Sequence, residues 1–415
     1  MLGVVAHVCT PSTRLDNEEK GDFCVITASL SYRARPPSPK NTTNSIETEL
    51  PMIQQFFCNP EEIWLAHYKD VCMCLIVIAA MESLWNHRRY LSEDEWHIKE
   101  GVRMETKNET MVLAFVLEGF HVAQHLGKVL FLVHLLVYLA SVAGNTLIIA
   151  ITWTDPHLQT PMYFFLRSFS FCECCFISTV IPKLLSIFLF GDRAIHFTPC
   201  IMQAFFFLFL GSTIFFHMAV MSLDRYLAIC KPLHYPTIMN PRVCFLLVFF
   251  SYVISFILIT GLILKLSWLS FCGSNVIPHF FCDLGSLIHL SSSDTQSLER
   301  MAFGAALFVL FTSVITAVFA YSNILISIMH LPCAKDRQKA FSTCSSHLIV
   351  LSLMYGSCVF IYVKPKQTSR LESNREAALV NTVVTPLLNP VIYTLRNKQV
   401  HQALRNALSR VNLQK

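Results

Sequence analysis

The chain has 415 residues, of which 53% are hydrophobic and 14% charged, with 33 Phe and a mean hydropathy of +0.50. That balance excludes an ordinary soluble domain, which must cover its core with polar surface, and points to a membrane protein. The net charge of +5 comes from scattered Lys and Arg rather than a basic stripe, so nucleic-acid binding is not expected. The 16 Cys show neither paired CxxC motifs at zinc spacing nor a compact secreted framework, and most lie in apolar runs.

Residues 1–103 mix Pro, Ser, Thr and charges, and their one apolar stretch, 71–81, is too short to span a bilayer. No N-terminal signal peptide is visible. Eleven Lys and Arg lie from Arg14 to Lys107, which works against export of this end; a start at Met104 would remove most of them. Two readings of 1–103 remain open, an extension without a fold of its own and a genuine extended tail. Asn108-Glu109-Thr110 is a glycosylation sequon just ahead of the first apolar run, and Asn41-Thr42-Thr43 is another such triplet.

A helix needs about 20 apolar residues to cross roughly 30 Å of hydrocarbon. Seven runs of that kind lie near 128–152, 161–187, 197–222, 243–266, 301–328, 341–363 and 378–395. The breaks between the first six are short except 267–300, which is long enough to fold over a surface. The spacing predicts an all-α membrane protein, a seven-transmembrane helix bundle with a disordered N-terminal extension. Arg225, Lys231, Arg242, Lys335, Arg337, Lys339 and the bases from Arg396 onward outnumber those at the other end, which favours a cytoplasmic C-terminus. A transporter would show matched half-repeats with broken helices, and none is evident. No HExxH, GxSxG or intramembrane acid dyad is present to carry an enzymatic reaction, and no cofactor is implied. Cys172, Cys174 and Cys175 flank Glu173 but point in different directions on a helix, so no metal site is expected.

Polar groups inside spans are costly unless they face a partner or water. Asn145, Glu173 and Asn389, on the first, second and seventh runs, could share one polar network; the alternative is hydrogen-bonding glue between helices. Asp224 and Arg225 end the third run. They read either as a latch, the acid holding the guanidinium until helices rotate, or as a basic anchor with an incidental acid. Pro390 removes a backbone bond from the seventh run and allows a kink, with Tyr393 one turn beyond.

The stretches "PMYFFLRSFS" at 161–170, "MSLDRYLAICKPLHYPTIM" at 221–239, "KAFSTCSSHLIVLSLMYG" at 339–356 and "TPLLNPVIYTLRN" at 385–397 resemble, in order and separation, the hallmark segments of the olfactory (odorant) receptors among rhodopsin-like G-protein-coupled receptors. The resemblance covers roughly 104–412, with 1–103 outside it. It implies a plasma-membrane receptor with an extracellular N-terminus that binds a small volatile odorant in the outer half of the bundle. It also implies activation of the heterotrimeric olfactory stimulatory G protein and a rise in cyclic AMP; a chemosensory role outside the olfactory epithelium is the alternative. Asp224, Arg225, Tyr226, Asn389, Pro390 and Tyr393 then form the switch, Cys200 and Cys282 pair as a disulfide, and Tyr355 lies at the pocket floor. If the third run is helical, Phe207, Leu208, Gly211, Ser212 and Phe215 share a face that the resemblance turns inward. Val309, Ala305 and Ala306, with Tyr355, Cys358 and Val359, complete a mostly apolar wall with few polar groups, chiefly Ser212, Tyr355 and Thr382. Such a lining suits an apolar molecule with at most one polar handle, and no acid is present to favour an amine.

The sequence departs from the family pattern at several points. Ser292 stands where a further Cys is usual, which leaves Cys272 without its partner. Glu173 replaces the more common Asp and makes a sodium site unexpected. His217 and Ile214 stand where the family tends to be aliphatic and where several members carry Glu, and Leu223 replaces a frequent aromatic.

Overall fold

The computed structural model describes residues 103–106, 109–112, 114–120, 124–363, 379, 382–383, 385–396 and 398–413, all within the compact unit Cys58–Lys415. The expectations for 1–102, including the Asn41 triplet, and for Asn108 fall outside the described residues. In chain order the elements are β1 (Arg103–Thr106), β2 (Glu109–Val112), β3 (Ala114–Leu117), α1 (Gln124–Thr154), α2 (Pro161–Phe190), β4 (Ala194–His196), α3 (Phe197–Cys230), α4 (Tyr235–Ile238) and α5 (Pro241–Ser267). They continue with β5 (Val276–Ile277), α6 (Leu284–Leu290), α7 (Gln296–Met329), α8 (Ala334–Val363), α9 (Thr385–Arg396) and α10 (Lys398–Leu413).

Among the described residues α1, α2, α3, α5 and α7 are long and apolar enough to cross a bilayer. The sixth expected span lies in α8, whose first turns carry Lys335, Arg337 and Lys339 and whose Cys344–Cys358 stretch is apolar. The seventh is described over Thr385–Arg396, with Leu379 and residues 382–383 ahead of it.

Local chemistry sets the helix ends. Asn240 caps α5 by accepting from the Val243 amide at 3.0 Å, with Pro241 at the first helical position, where a missing N–H costs nothing. Pro161 opens α2 in the same way, and Gly191 closes it in the left-handed conformation (φ 69°), donating to the Ile187 carbonyl. The bundle is inside-out relative to a soluble protein. Phe249, Phe256, Phe303, Phe311 and Ile315 are exposed, while Asn145, Glu173, Asp224 and Asn389 are buried. Lipid solvates the former, and helix association rests on close packing and polar contacts. α3 is the axial element, packed against α2, α5, α7 and α8; α9 packs against α1 and α8.

One detail lies beyond an all-helical reading. β3 is sandwiched antiparallel to β4 and parallel to β5. Alternation along β3 buries Phe115 and Leu117, and the Phe115 ring meets Phe271 edge-on at 5.4 Å. The segment before the first span is thereby tied to the loop between α5 and α6. Cys200 at the start of α3 is bonded to Cys282 in the same loop, with their Cα atoms 5.4 Å apart. Gln203 reinforces the tie: its amide donates to the Thr179 carbonyl and its oxygen accepts from the Cys282 amide, both at 2.9 Å. Cys272 is exposed and free, and its backbone amide donates to Ser292 Oγ at 3.0 Å. A hydrogen bond thus occupies the place where the family pattern leads one to expect a second staple.

The approach of α1 to α9 is set by Gly144, where an added Cβ would lie 2.8 Å from Pro390 Cβ. Gly144→Ala should destabilise the purified protein by about 1–3 kcal/mol through overpacking, read as a lower melting temperature in detergent. Gly261→Ala, in α5 with nothing within 4 Å, should leave it unchanged or slightly higher.

Candidate functional site

The expected functional residues divide between the two ends of α3. At one end, burial of Asp224 and Arg225 places an acid and a base among apolar side chains. Asp224 Oδ2 accepts from Arg225 Nε at 3.1 Å and also from Arg225 Nη2. The other carboxylate oxygen, Oδ1, accepts from the Tyr235 hydroxyl at 2.7 Å. Tyr235 comes from α4, so a single carboxylate ties its own helix to the loop that follows. Burial, and then the Asp224 charge, hold the Tyr235 hydroxyl well above its ordinary range, so it remains a donor. Tyr226 takes no part in this pair; its ring meets Phe319 of α7 edge-on at 5.5 Å, with Lys231 Nζ 6.0 Å from its centroid.

Two neighbouring contacts went unread in the sequence. Tyr321 on α7 and His347 on α8 share a hydrogen bond of 2.6 Å through His347 Nδ1. Tyr235 itself lies in the quoted stretch 221–239, but no spacing indicates that its hydroxyl reaches back eleven residues to Asp224.

In the bundle interior Asn389 Nδ2 donates to Glu173 Oε1. Asn145 Nδ2 donates to the carbonyls of Ser141 at 3.1 Å and Pro386 at 3.4 Å. The contact with Pro386 has a backbone cause. Pro390 has no N–H to give the carbonyl four residues earlier, and Asn145 takes its place. The structure therefore brings Asn145, Glu173, Asn389 and Pro390 together. Tyr393 is buried beyond them, edge-on to Phe169 at 6.4 Å, and its hydroxyl has no hydrogen-bond partner among the described residues. His217 also has a defined role in packing. Its Nδ1 faces the Thr213 carbonyl at 2.8 Å and must carry the proton, so Nε2 accepts from Ser168 Oγ at 2.9 Å and joins α3 to α2.

Toward the disulfide end, Phe207 stacks on Phe176 at 5.0 Å and meets Phe281 at 4.5 Å. Gly211 lies beside the Phe176 ring, where an added Cβ would make ordinary van der Waals contact at 3.5 Å. Leu208 is half-buried against the core, and Ser212 Oγ donates to the Leu208 carbonyl at 2.7 Å. Phe215 lies 6.0 Å from the Tyr355 ring, and Tyr355 hydrogen-bonds to Ser313 of α7. Val309 is buried on α7 and Cys358 is half-buried on α8. Ala306 is exposed and so does not join this wall. The side chain of Val359 lies outside the described residues. Phe281, Ser313 and Gln203 belong to the neighbourhood although the sequence singled out none of them. Phe281 is adjacent to the disulfide Cys282, the one local signal available. Among the described residues no group of His, Cys, Asp and Glu is arranged to hold a metal ion.

The sequence profile of the olfactory receptor family matches residues 134–411. Olfactory receptor 6C75 of Homo sapiens is 48% identical over 305 residues, which cover 74% of this chain and 98% of that protein. Olfactory receptor 6C1 of Homo sapiens is 47% identical over 300 residues, covering 72% and 96%. The crystal structure of squid rhodopsin superimposes with a TM-score of 0.58 at 17% identity, over 71% of this chain and 88% of that one, a likeness of fold. With hallmark segments, membrane-spanning helices and near full-length relatives in agreement, the chain belongs to the olfactory receptor family and is a multi-pass membrane protein of rhodopsin-like fold.

Proposed function

We propose that this chain is an odorant receptor of the plasma membrane that binds small, volatile, mostly apolar molecules in the half of the bundle nearer the disulfide and activates the olfactory stimulatory G protein to raise cyclic AMP. Membership of the olfactory receptor family over almost the whole length of its relatives carries the reading. A disulfide persists on the oxidising side of a membrane, which supports Cys200–Cys282 and the N-terminus outside and Asp224, Arg225 and the C-terminus in the cytoplasm. The wall of Phe207, Leu208, Phe215, Val309 and Tyr355 supports an apolar ligand, and lipid surrounds the exposed Phe of α5 and α7. The receptor domain is residues 104–412, and 1–103 are dispensable for signalling.

In this reading Asp224 holds Arg225 until the helices rotate, and the freed guanidinium then meets the G protein. Tyr235 donates to the same carboxylate, so the loop it comes from shares in the restraint. Asn145, Glu173, Asn389, Pro390 and Tyr393 relay helix movement between the two ends.

Arg225→Ala should abolish odorant-stimulated cyclic AMP at unchanged surface staining; an undiminished response at equal surface level would sink the assignment. The shorter chain beginning at Met104 should respond like the full chain. Tyr235→Phe removes one of the Asp224 hydrogen bonds and should raise ligand-free cyclic AMP, with a flat baseline counting against a restraining role. Asn108→Gln should erase the mobility shift produced by glycosidase; a shift that persists would place the glycan elsewhere.

A further inference from the structure

Proton accounting on the apolar wall constrains the chemistry of what binds there. Ser313 Oγ lies 2.7 Å from the Phe215 carbonyl oxygen, which can only accept, so the one Ser313 proton is spent on that bond. Ser313 also contacts the Tyr355 hydroxyl. With its own proton committed, Ser313 can only accept there, and Tyr355 is the donor. The Tyr355 proton is thus held by a serine that is fully buried, and the phenol oxygen has only lone-pair capacity left to offer. Ser212 is in the same condition, because its hydroxyl donates to the Leu208 carbonyl at 2.7 Å. The Cys358 thiol, on the same wall, is a weak donor. Two of the hydroxyls assigned to the wall, Tyr355 and Ser212, therefore present acceptors, and their protons point away from any guest.

We infer that this wall selects a guest that donates a hydrogen bond, an alcohol above all, and that a carbonyl compound of the same skeleton gains a hydrogen bond from Tyr355 only by breaking the Tyr355–Ser313 contact. The inference rests on the ligand site proposed above and refines it. Breaking that contact would also remove one of the hydrogen bonds between α8 and α7, Tyr321–His347 being another, and leave Ser313 with an unfilled acceptor in a dry place. An alcohol has no such penalty, since its proton meets the free lone pairs of Tyr355 or Ser212.

The test compares matched probes on two skeletons, octanol, octanal and octane, and menthol, menthone and menthane. Both the melting temperature of the purified full-length receptor and cyclic AMP in cells are read. The alcohol should be favoured over its carbonyl partner by several-fold to about tenfold in half-maximal concentration, the scale of one net hydrogen bond. Ser313→Ala frees the Tyr355 proton, so the ratio should narrow or reverse toward the carbonyl. In Tyr355→Phe the alcohol advantage should shrink while the response to the hydrocarbon remains. Because each comparison is a ratio within one variant, differences in folding or delivery cancel. A carbonyl compound matching its alcohol on both skeletons in the unmodified chain would overturn the inference, as would an unchanged ratio in Ser313→Ala. Silence toward every probe from a surface-delivered chain, with no shift in melting temperature, would instead overturn the ligand site itself and this inference with it.

Discussion

Hydrocarbon offers no hydrogen bonds, and this constraint governs every polar contact in the bundle. A buried hydroxyl, amide or carboxylate must find its partner within the protein, most often on the backbone one turn away or on a neighbouring helix. Ser212, Thr213 and Ser222 of α3 each donate to the carbonyl four residues earlier. Residues that reach across helices are fewer and carry more of the architecture. Ser168 meets His217, Asn389 meets Glu173, and Ser313 meets both Phe215 and Tyr355.

Helix α3 joins the two halves of the proposed mechanism because it passes through both. Its first turn is fixed by the Cys200–Cys282 bond and by Gln203, while its last turns hold Asp224 and Arg225. Between them runs the face from Phe207 to Phe215. A guest that displaces this face acts on a helix held at its disulfide end and restrained at the other by a single carboxylate with two partners. Such a restraint can have two discrete arrangements, which is what a switch requires. The Pro390 gap in the α9 ladder, filled from α1 by Asn145, places a second adaptable joint nearby.

The loop between α5 and α6 is organised by several weak ties and one strong one. It pairs with β3, is bonded to α3, and inserts Phe280 and Phe281 among Ile177, Val180, Ile181 and Leu184 of α2. Around Cys272 the ties are serine hydrogen bonds: Ser292 and Ser293 accept from the amides of Cys272 and Ser270. Hydrogen bonds near an exposed surface compete with water, so this part of the loop is held less firmly than a covalent staple would hold it.

Membrane class, the family and the five spans of α1, α2, α3, α5 and α7 were legible in the residues alone, since long apolar runs and long contiguous motifs are local properties. The sequence also placed Asn145, Glu173 and Asn389 as candidates for one network and Asp224 beside Arg225, because charge and amide groups stand out against an apolar background. Which partners these groups found depends on how the helices pack. That Tyr235 shares the Asp224 carboxylate, that Asn145 fills the carbonyl left by Pro390, and that Ser313 takes the Tyr355 proton all depend on side chains brought together from separate elements. Serine and tyrosine are common in such helices and carry no distinguishing period. The small sheet around β3 was equally illegible, because its strands are two to four residues long and form only where three distant segments meet at the bundle end. Hydrogen-bond direction follows from which acceptor a hydroxyl meets in space, and composition holds no record of that.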